Sequence, residues 1–124
     1  MACDAHTIQC GATSHRDPGN PLRGIAGLDV FAGIEYAAQA AALHGAISRN
    51  ENAPRSGVLA ALKNVDASRK WLHDCTPEIR VDVTLRHADP AGGVFLFSLR
   101  SGDEVVLQGQ FTLMYTGQST EAST

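Results

Sequence analysis

Hydrophobic and polar residues alternate most regularly in the second half of the chain. Ile79, Val81, Val83 and Leu85 alternate with Arg80, Asp82, Thr84 and Arg86. Successive side chains of a strand point to opposite faces, so this pattern predicts a strand with one buried face. Asp89-Pro90-Ala91-Gly92-Gly93 is a turn signal, and residues 94–99 follow as a second strand. Ser101-Gly102-Asp103 predicts a tight turn before a long strand in which Val105, Leu107, Gly109, Phe111, Leu113 and Tyr115 alternate with other residues. The polar residues Gln118 to Thr124 read as a frayed end.

The first half has a different pattern. Residues 6–14 suit a short strand. Asp17-Pro18-Gly19-Asn20-Pro21 must be a loop, because two prolines and a glycine exclude regular structure. This loop runs on through Gly24 and Gly27. Asp29 is a suitable N-cap for a helix from Val30 to about Ser48. Alanines at 32, 37, 38, 40, 41, 42 and 46 favour that helix and leave a thin cylinder that other elements can approach closely. Residues 50–57 form a polar loop containing Pro54. Residues 58–65 fit helix or strand equally well by periodicity. One strand, one long apolar helix and a run of antiparallel strands predict an α+β fold, with the sheet wrapped around a central helix.

Length and composition narrow the classes. The chain has 124 residues, which suits one compact domain over residues 1–124. Its net charge of -3 argues against a nucleic-acid surface. No apolar run reaches the length of a membrane span, and the N-terminus lacks the pattern of a signal peptide. Cys3, Cys10 and Cys75 lack Cys-x-x-Cys spacing, and with the histidines they form no finger-like ligand pattern. Reduced thiols in a cytoplasmic protein, with no metal and no organic cofactor, are the expectation.

The chemistry centres on His15 and Glu35. A histidine and a carboxylate are the minimal set for general acid–base catalysis. Glu35 lies among Ile34, Ala37, Ala38 and Ala42, which predicts a buried helix face around it. A buried carboxyl needs a partner or a purpose. Gln39 falls one turn later on the same face. His44 lies on the opposite side and reads as structural, Tyr36 and Trp71 as packing residues. His6, His73 and His87 sit among polar neighbours and read as solvent-facing, while Arg16 and Arg23 are either solvated or phosphate-binding. The ordinary alternative places His15 on the loop surface and Glu35 on an exposed face of the helix.

Glu35 and Gln39 on an apolar helix, preceded by His15 in a Pro/Gly-rich loop, resemble the hot-dog-fold (3R)-hydroxyacyl-acyl-carrier-protein dehydratases. Ser14-His15, Asn20-Pro21-Leu22 and the run from Gly33 to Ala40 resemble more closely the dehydratase-like proteins of aryl-polyene-type fatty-acid or polyketide pathways. Leu43-His44-Gly45-Ala46 and residues 57–62 extend that similarity. The resemblance implies a hot-dog fold and a strand at residues 58–65. It also implies an Asn20-Pro21 turn that shapes the His15 loop. Two features depart from the family. Leu28-Asp29-Val30 stands where the common dehydratases have Pro-Gly, and 20 positions separate His15 from Glu35. Family members also carry an N-terminal strand ahead of the one at which this chain begins, so either the sheet lacks a strand or the chain starts late.

By resemblance, the activity is elimination of water from a 3-hydroxyacyl thioester carried by acyl-carrier protein or coenzyme A. His15 would take the C2 proton, and Glu35 would position or protonate the departing oxygen. The backbone N–H groups of Val30, Phe31 and Ala32, at the helix start, would face the thioester oxygen, and Gln39 would assist. In the family the two catalytic groups meet across a dimer, so a homodimer or a heterodimer with another hot-dog subunit is implied. Two rivals remain: a hot-dog thioesterase using Glu35 alone, and a non-catalytic subunit of a heteromeric dehydratase.

Overall fold

The computed structural model describes residues 2–24, 27–75 and 78–116. The expected frayed end at 118–124 lies outside them. Six strands form one antiparallel sheet: β1 (Ala2–Cys3), β2 (Thr7–Ala12), β3 (Gly57–Ala67), β4 (Ile79–Asp89), β5 (Gly92–Ser101) and β6 (Glu104–Tyr115). Their order across the sheet is β1-β2-β4-β5-β6-β3. Among the described residues a single long helix, α1 (Gly33–Ser48), packs mainly over β4, β2 and β5. This is the expected hot-dog architecture.

The alternating strands bury their apolar face against the helix. Val81, Val83, Phe97, Leu99, Leu107 and Phe111 are each at most 3% exposed. Phe95, Phe97 and Phe111 stack at ring distances of 5.4 to 5.6 Å across β5 and β6. At roughly 1.5–3 kcal/mol per buried large side chain, this face is the main source of stability. The helix approaches the sheet closely at its first residue. A Cβ at Gly33 would lie 2.5 Å from the Leu99 side chain and 3.0 Å from Leu107.

Three expectations change in detail. Residues 57–67 are a strand, as the resemblance implied, and pairing with β6 decides against the helical alternative. Register shifts near Leu59 and Lys63, with Asn64 at φ 55°, bend this strand. The helix proper starts at Gly33, because Val30–Ala32 form a 3-10 turn. A two-residue strand, β1, precedes residues 6–14 and pairs with β2. Its two residues are too few to carry a periodic signal.

Candidate active site

His15 sits in a 3-10 turn, Ser14–Arg16, immediately after β2. It is fully buried, not on the loop surface. Its Nε2 lies 2.7 Å from the Cys75 carbonyl oxygen. A carbonyl can only accept, so Nε2 donates and the neutral ring carries its lone pair on Nδ1. That Nδ1 is buried and has no hydrogen-bond partner. Burial pushes the imidazole below its ordinary value of 6.5, with help from the Arg16 charge, against the opposing pull of the Cys75 and Ala12 carbonyls. The ring is therefore neutral at physiological pH, held between the Cys75 and Ala12 carbonyls with Nδ1 buried.

The loop around it is held by its own side chains. Asn20 is buried and donates through Nδ2 to the Ser14 carbonyl at 2.9 Å and to the Tyr36 hydroxyl at 3.0 Å. Its Oδ1 accepts from Leu22 N at 2.9 Å. The expected role of Asn20 in shaping the His15 loop is thus visible in its contacts. Arg23 donates to the His15 carbonyl at 3.3 Å. Tyr36, read from sequence as a packing residue, instead uses its hydroxyl, 2.8 Å from Ser14 Oγ.

Glu35 is presented differently. It is exposed, contrary to the expected burial. The helix buries Ile34, Ala37, Ala38, Ala40 and Ala41 against the sheet, and Glu35 and Gln39 occupy the stripe the sheet does not cover. Both line a groove of about 470 Å³ with Ala38, Ala42, Leu43, Pro54, Arg55, Gly57 and Leu113. Neither side chain makes a hydrogen bond or ion pair among the described residues. A second, smaller groove of about 220 Å³ runs along Cys10, Ala12, Ser14, Tyr36 and Val81. Gln39 and Leu43 line both grooves, so the two meet along the helix between the Glu35 side and the Ser14 side.

The helix start does not offer the expected donors. Val30 N donates to the Lys70 carbonyl at 2.8 Å, and Ala32 N to the Asp29 carbonyl at 3.0 Å. Phe31 N donates to Asp29 Oδ1 at 2.9 Å. All three N–H groups proposed for the thioester oxygen are already engaged within the chain. The cause is the Asp29 cap, together with pairing between residues 28–30 and 70–72.

Other histidines separate cleanly. His44 is buried and its Nε2 meets the Asp4 carbonyl at 2.9 Å, a structural contact as expected. His73 is not solvent-facing: its Nδ1 accepts from Leu28 N at 2.9 Å, and its ring packs on Trp71. His6 and His87 are exposed. Cys75 and Cys10 have thiols pushed upward by burial, which keeps them protonated and poor nucleophiles. Among the described residues, no three His, Cys, Asp or Glu side chains gather as a metal site, and no helix is long and apolar enough to cross a membrane.

Comparison with known proteins places this geometry. A family model described as ApeP-like (ApeP dehydratase) matches residues 1–123. A comparison with curated protein sequences finds no match. Among solved structures, the dehydratase heterocomplex ApeI:P from Xenorhabdus doucetiae is similar, with a TM-score of 0.81 at 18% identity over 99% of this chain and 84% of that one. A point mutant of the fluoroacetyl-CoA-specific thioesterase FlK matches at a TM-score of 0.62 and 12% identity, over 94% and 90%. An acyl-CoA hydrolase from Staphylococcus aureus matches at 0.56 and 10% identity, over 91% and 65%. At these identities the solved structures establish the hot-dog fold.

Proposed function

Because the chain belongs to the ApeP-like dehydratase family, we propose that it serves in the dehydration of 3-hydroxyacyl thioesters, as one half of a composite hot-dog enzyme. The observation that carries this reading is the state of His15. It is a neutral imidazole, fixed by a backbone carbonyl, with an unpartnered nitrogen. Once assembly with the partner uncovers the buried ring, His15 Nδ1 takes the C2 proton. Glu35 protonates the leaving hydroxyl, and water departs to give the 2-enoyl thioester. The groove floor of Ala38, Ala42, Leu43 and Leu113 suits an acyl chain, with Gln39 beside Glu35 at its polar end.

A second chain is part of the proposal. The N–H groups at the helix start are engaged, Glu35 is exposed, and His15 is sealed from solvent, so the isolated chain has no complete site. The edge strand β3 exposes Val58 and Leu62 at 55% and 51%, an apolar strand edge that calls for a cover. The ApeI:P structure is a dehydratase heterocomplex, which favours a different hot-dog chain as the partner over a second copy. The substrate is an acyl-carrier-protein or coenzyme A thioester of a fatty-acid or polyketide-type pathway in the cytoplasm. The chain acts as one hot-dog domain over residues 1–124.

A thioesterase is the second reading. Glu35 faces an open groove, where it could orient water without His15. Mass spectrometry of a 3-hydroxyacyl-acyl-carrier-protein incubated with wild type, His15→Ala and Glu35→Ala, each with its partner chain, separates the two. Loss of one water that depends on both residues supports dehydration. Release of free acid that survives His15→Ala supports hydrolysis and overturns the dehydratase reading.

A further inference from the structure

Tyr36 does something the acid–base pair does not account for. It neighbours Glu35 on α1 but lines the other groove, beside Ser14. Its hydroxyl accepts a hydrogen bond from Asn20 Nδ2 at 3.0 Å and shares another with Ser14 Oγ at 2.8 Å. Asn20 also holds the Ser14 carbonyl, so three side chains close a ring of contacts on the residue that precedes His15. A tyrosine hydroxyl taken out of water takes a hydrogen-bond partner. This one ties a loop rich in proline and glycine to a rigid helix.

We infer that Tyr36, acting through Asn20 and Ser14, is a positioning residue that fixes His15 relative to the helix bearing Glu35. It touches neither the imidazole nor, in the role assigned, the substrate. The inference rests on the dehydratase reading for its catalytic meaning, though its structural content stands apart from it. Nothing else in the chain links the His15 turn to α1 by side-chain hydrogen bonds among the described residues. Opposite the ring, the Cys75 carbonyl fixes Nε2, while Arg23 holds the His15 backbone carbonyl. The helix, through Tyr36 and Ser14, and the Cys75 carbonyl thus hold the His15 turn and its imidazole from two sides. Losing the Tyr36 hydroxyl leaves the Asn20 amide one acceptor short and frees the Ser14 turn.

The test is an NMR titration of the histidine ring protons in the full chain, with the His15 signal identified by its loss in His15→Ala. The charged and titratable groups around His15 are Arg16, Arg23, the Cys75 thiol and Tyr36; the two guanidiniums and the thiol are unchanged in Tyr36→Phe. If the hydroxyl positions the loop, Tyr36→Phe admits water and raises the His15 midpoint by about half a unit or more toward the exposed value. The midpoints of His6 and His87 stay fixed. In the presence of the partner, kcat for dehydration falls about tenfold while KM changes less than about twofold. Ser14→Ala shows the same direction, and Ser14→Thr, which keeps a hydroxyl, restores the wild-type midpoint. An unchanged His15 midpoint in a folded Tyr36→Phe protein overturns the inference. If that variant does not fold, Ser14→Ala carries the titration with the same two outcomes. Absence of dehydration by wild type would count against the dehydratase reading alone, since the titration needs no substrate.

Discussion

His15, in a 3-10 turn, and Glu35, on α1, are built to opposite plans within one small fold. His15 is enclosed, its ring nitrogen held by a backbone carbonyl and its loop held by Asn20, Ser14, Tyr36 and Arg23. Glu35 stands on the uncovered stripe of the helix, exposed and without a partner among the described residues. A preorganised base needs its tautomer and orientation fixed before substrate arrives, and the chain does this alone. A proton donor for a leaving group gains from being dry, and this chain does not supply the dryness. In the proposed composite enzyme, this chain would bring the held histidine and a second chain would enclose the carboxylate.

The largest effect should come from breaking the catalytic half of the contrast and not the structural half. Glu35→Gln keeps the exposed shape, so dehydration by the assembled enzyme should fall at least about a hundredfold. Stability, read by urea denaturation, should move by less than about 0.5 kcal/mol, as for an ordinary surface change. His15→Ala should lose activity to a similar degree, but also about 1–3 kcal/mol of stability, because it leaves the Cys75 carbonyl buried and unpaired. Equal destabilisation by the two substitutions would erase the distinction between them.

A charge on the open edge sharpens the contrast from the partner's side. Val58→Glu, with Leu62→Glu, should weaken assembly with the second chain about tenfold or more, roughly 1.4 kcal/mol, by analytical ultracentrifugation. The isolated chain should remain folded, since both positions are exposed. Unchanged assembly would move the partner to another face.

The helix start offers a smaller test. Asp29→Ala removes the side-chain acceptor of Phe31 N and should cost about 1 kcal/mol in thermal or urea unfolding. The dehydration rate should stay within about twofold of wild type. A large rate change would show that this end of the helix faces the thioester after all.

The smallest effect is a pH dependence. His15 binds its proton less readily folded than unfolded, so the unfolded chain holds more protons as pH falls below 6.5. Its contribution to stability is complete above that value, shrinks as pH falls toward the lowered folded value, and levels off below it. Urea midpoints measured across this window should decline in wild type, and His15→Ala should flatten that part of the curve. A slope that survives the substitution would assign the proton uptake to another group.

Much of this arrangement was legible in the sequence, for definite reasons. The strands β4 and β5, and β6 from Leu107 onward, bury one face each, so their period of two survives in the residues; at the start of β6 Val105 is exposed and Val106 buried, beside a register shift with β5. Strand β3 is apolar without alternation, and only the resemblance of residues 57–62 distinguished it from a helix. Glu35 was misplaced because α1 is apolar nearly all round: Ala37, Ala38, Ala40, Ala41 and Ala42 do not say which stripe meets the sheet. The Cys75 carbonyl could not be found, since every residue carries one. The engaged N–H groups were half visible. Asp29 was readable as a cap, and a cap takes up the same donors that an oxyanion would need. Those two expectations competed for one set of N–H groups, and the structure favours the cap.

The most direct test of the composite site is intact-mass analysis of a 3-hydroxyacyl-acyl-carrier-protein after incubation with this chain alone, and with a second hot-dog dehydratase chain from its own source. Loss of one water from the acyl group only when both chains are present, abolished by Glu35→Gln in this one, is the predicted result. Full dehydration by this chain as a monomer would contradict it.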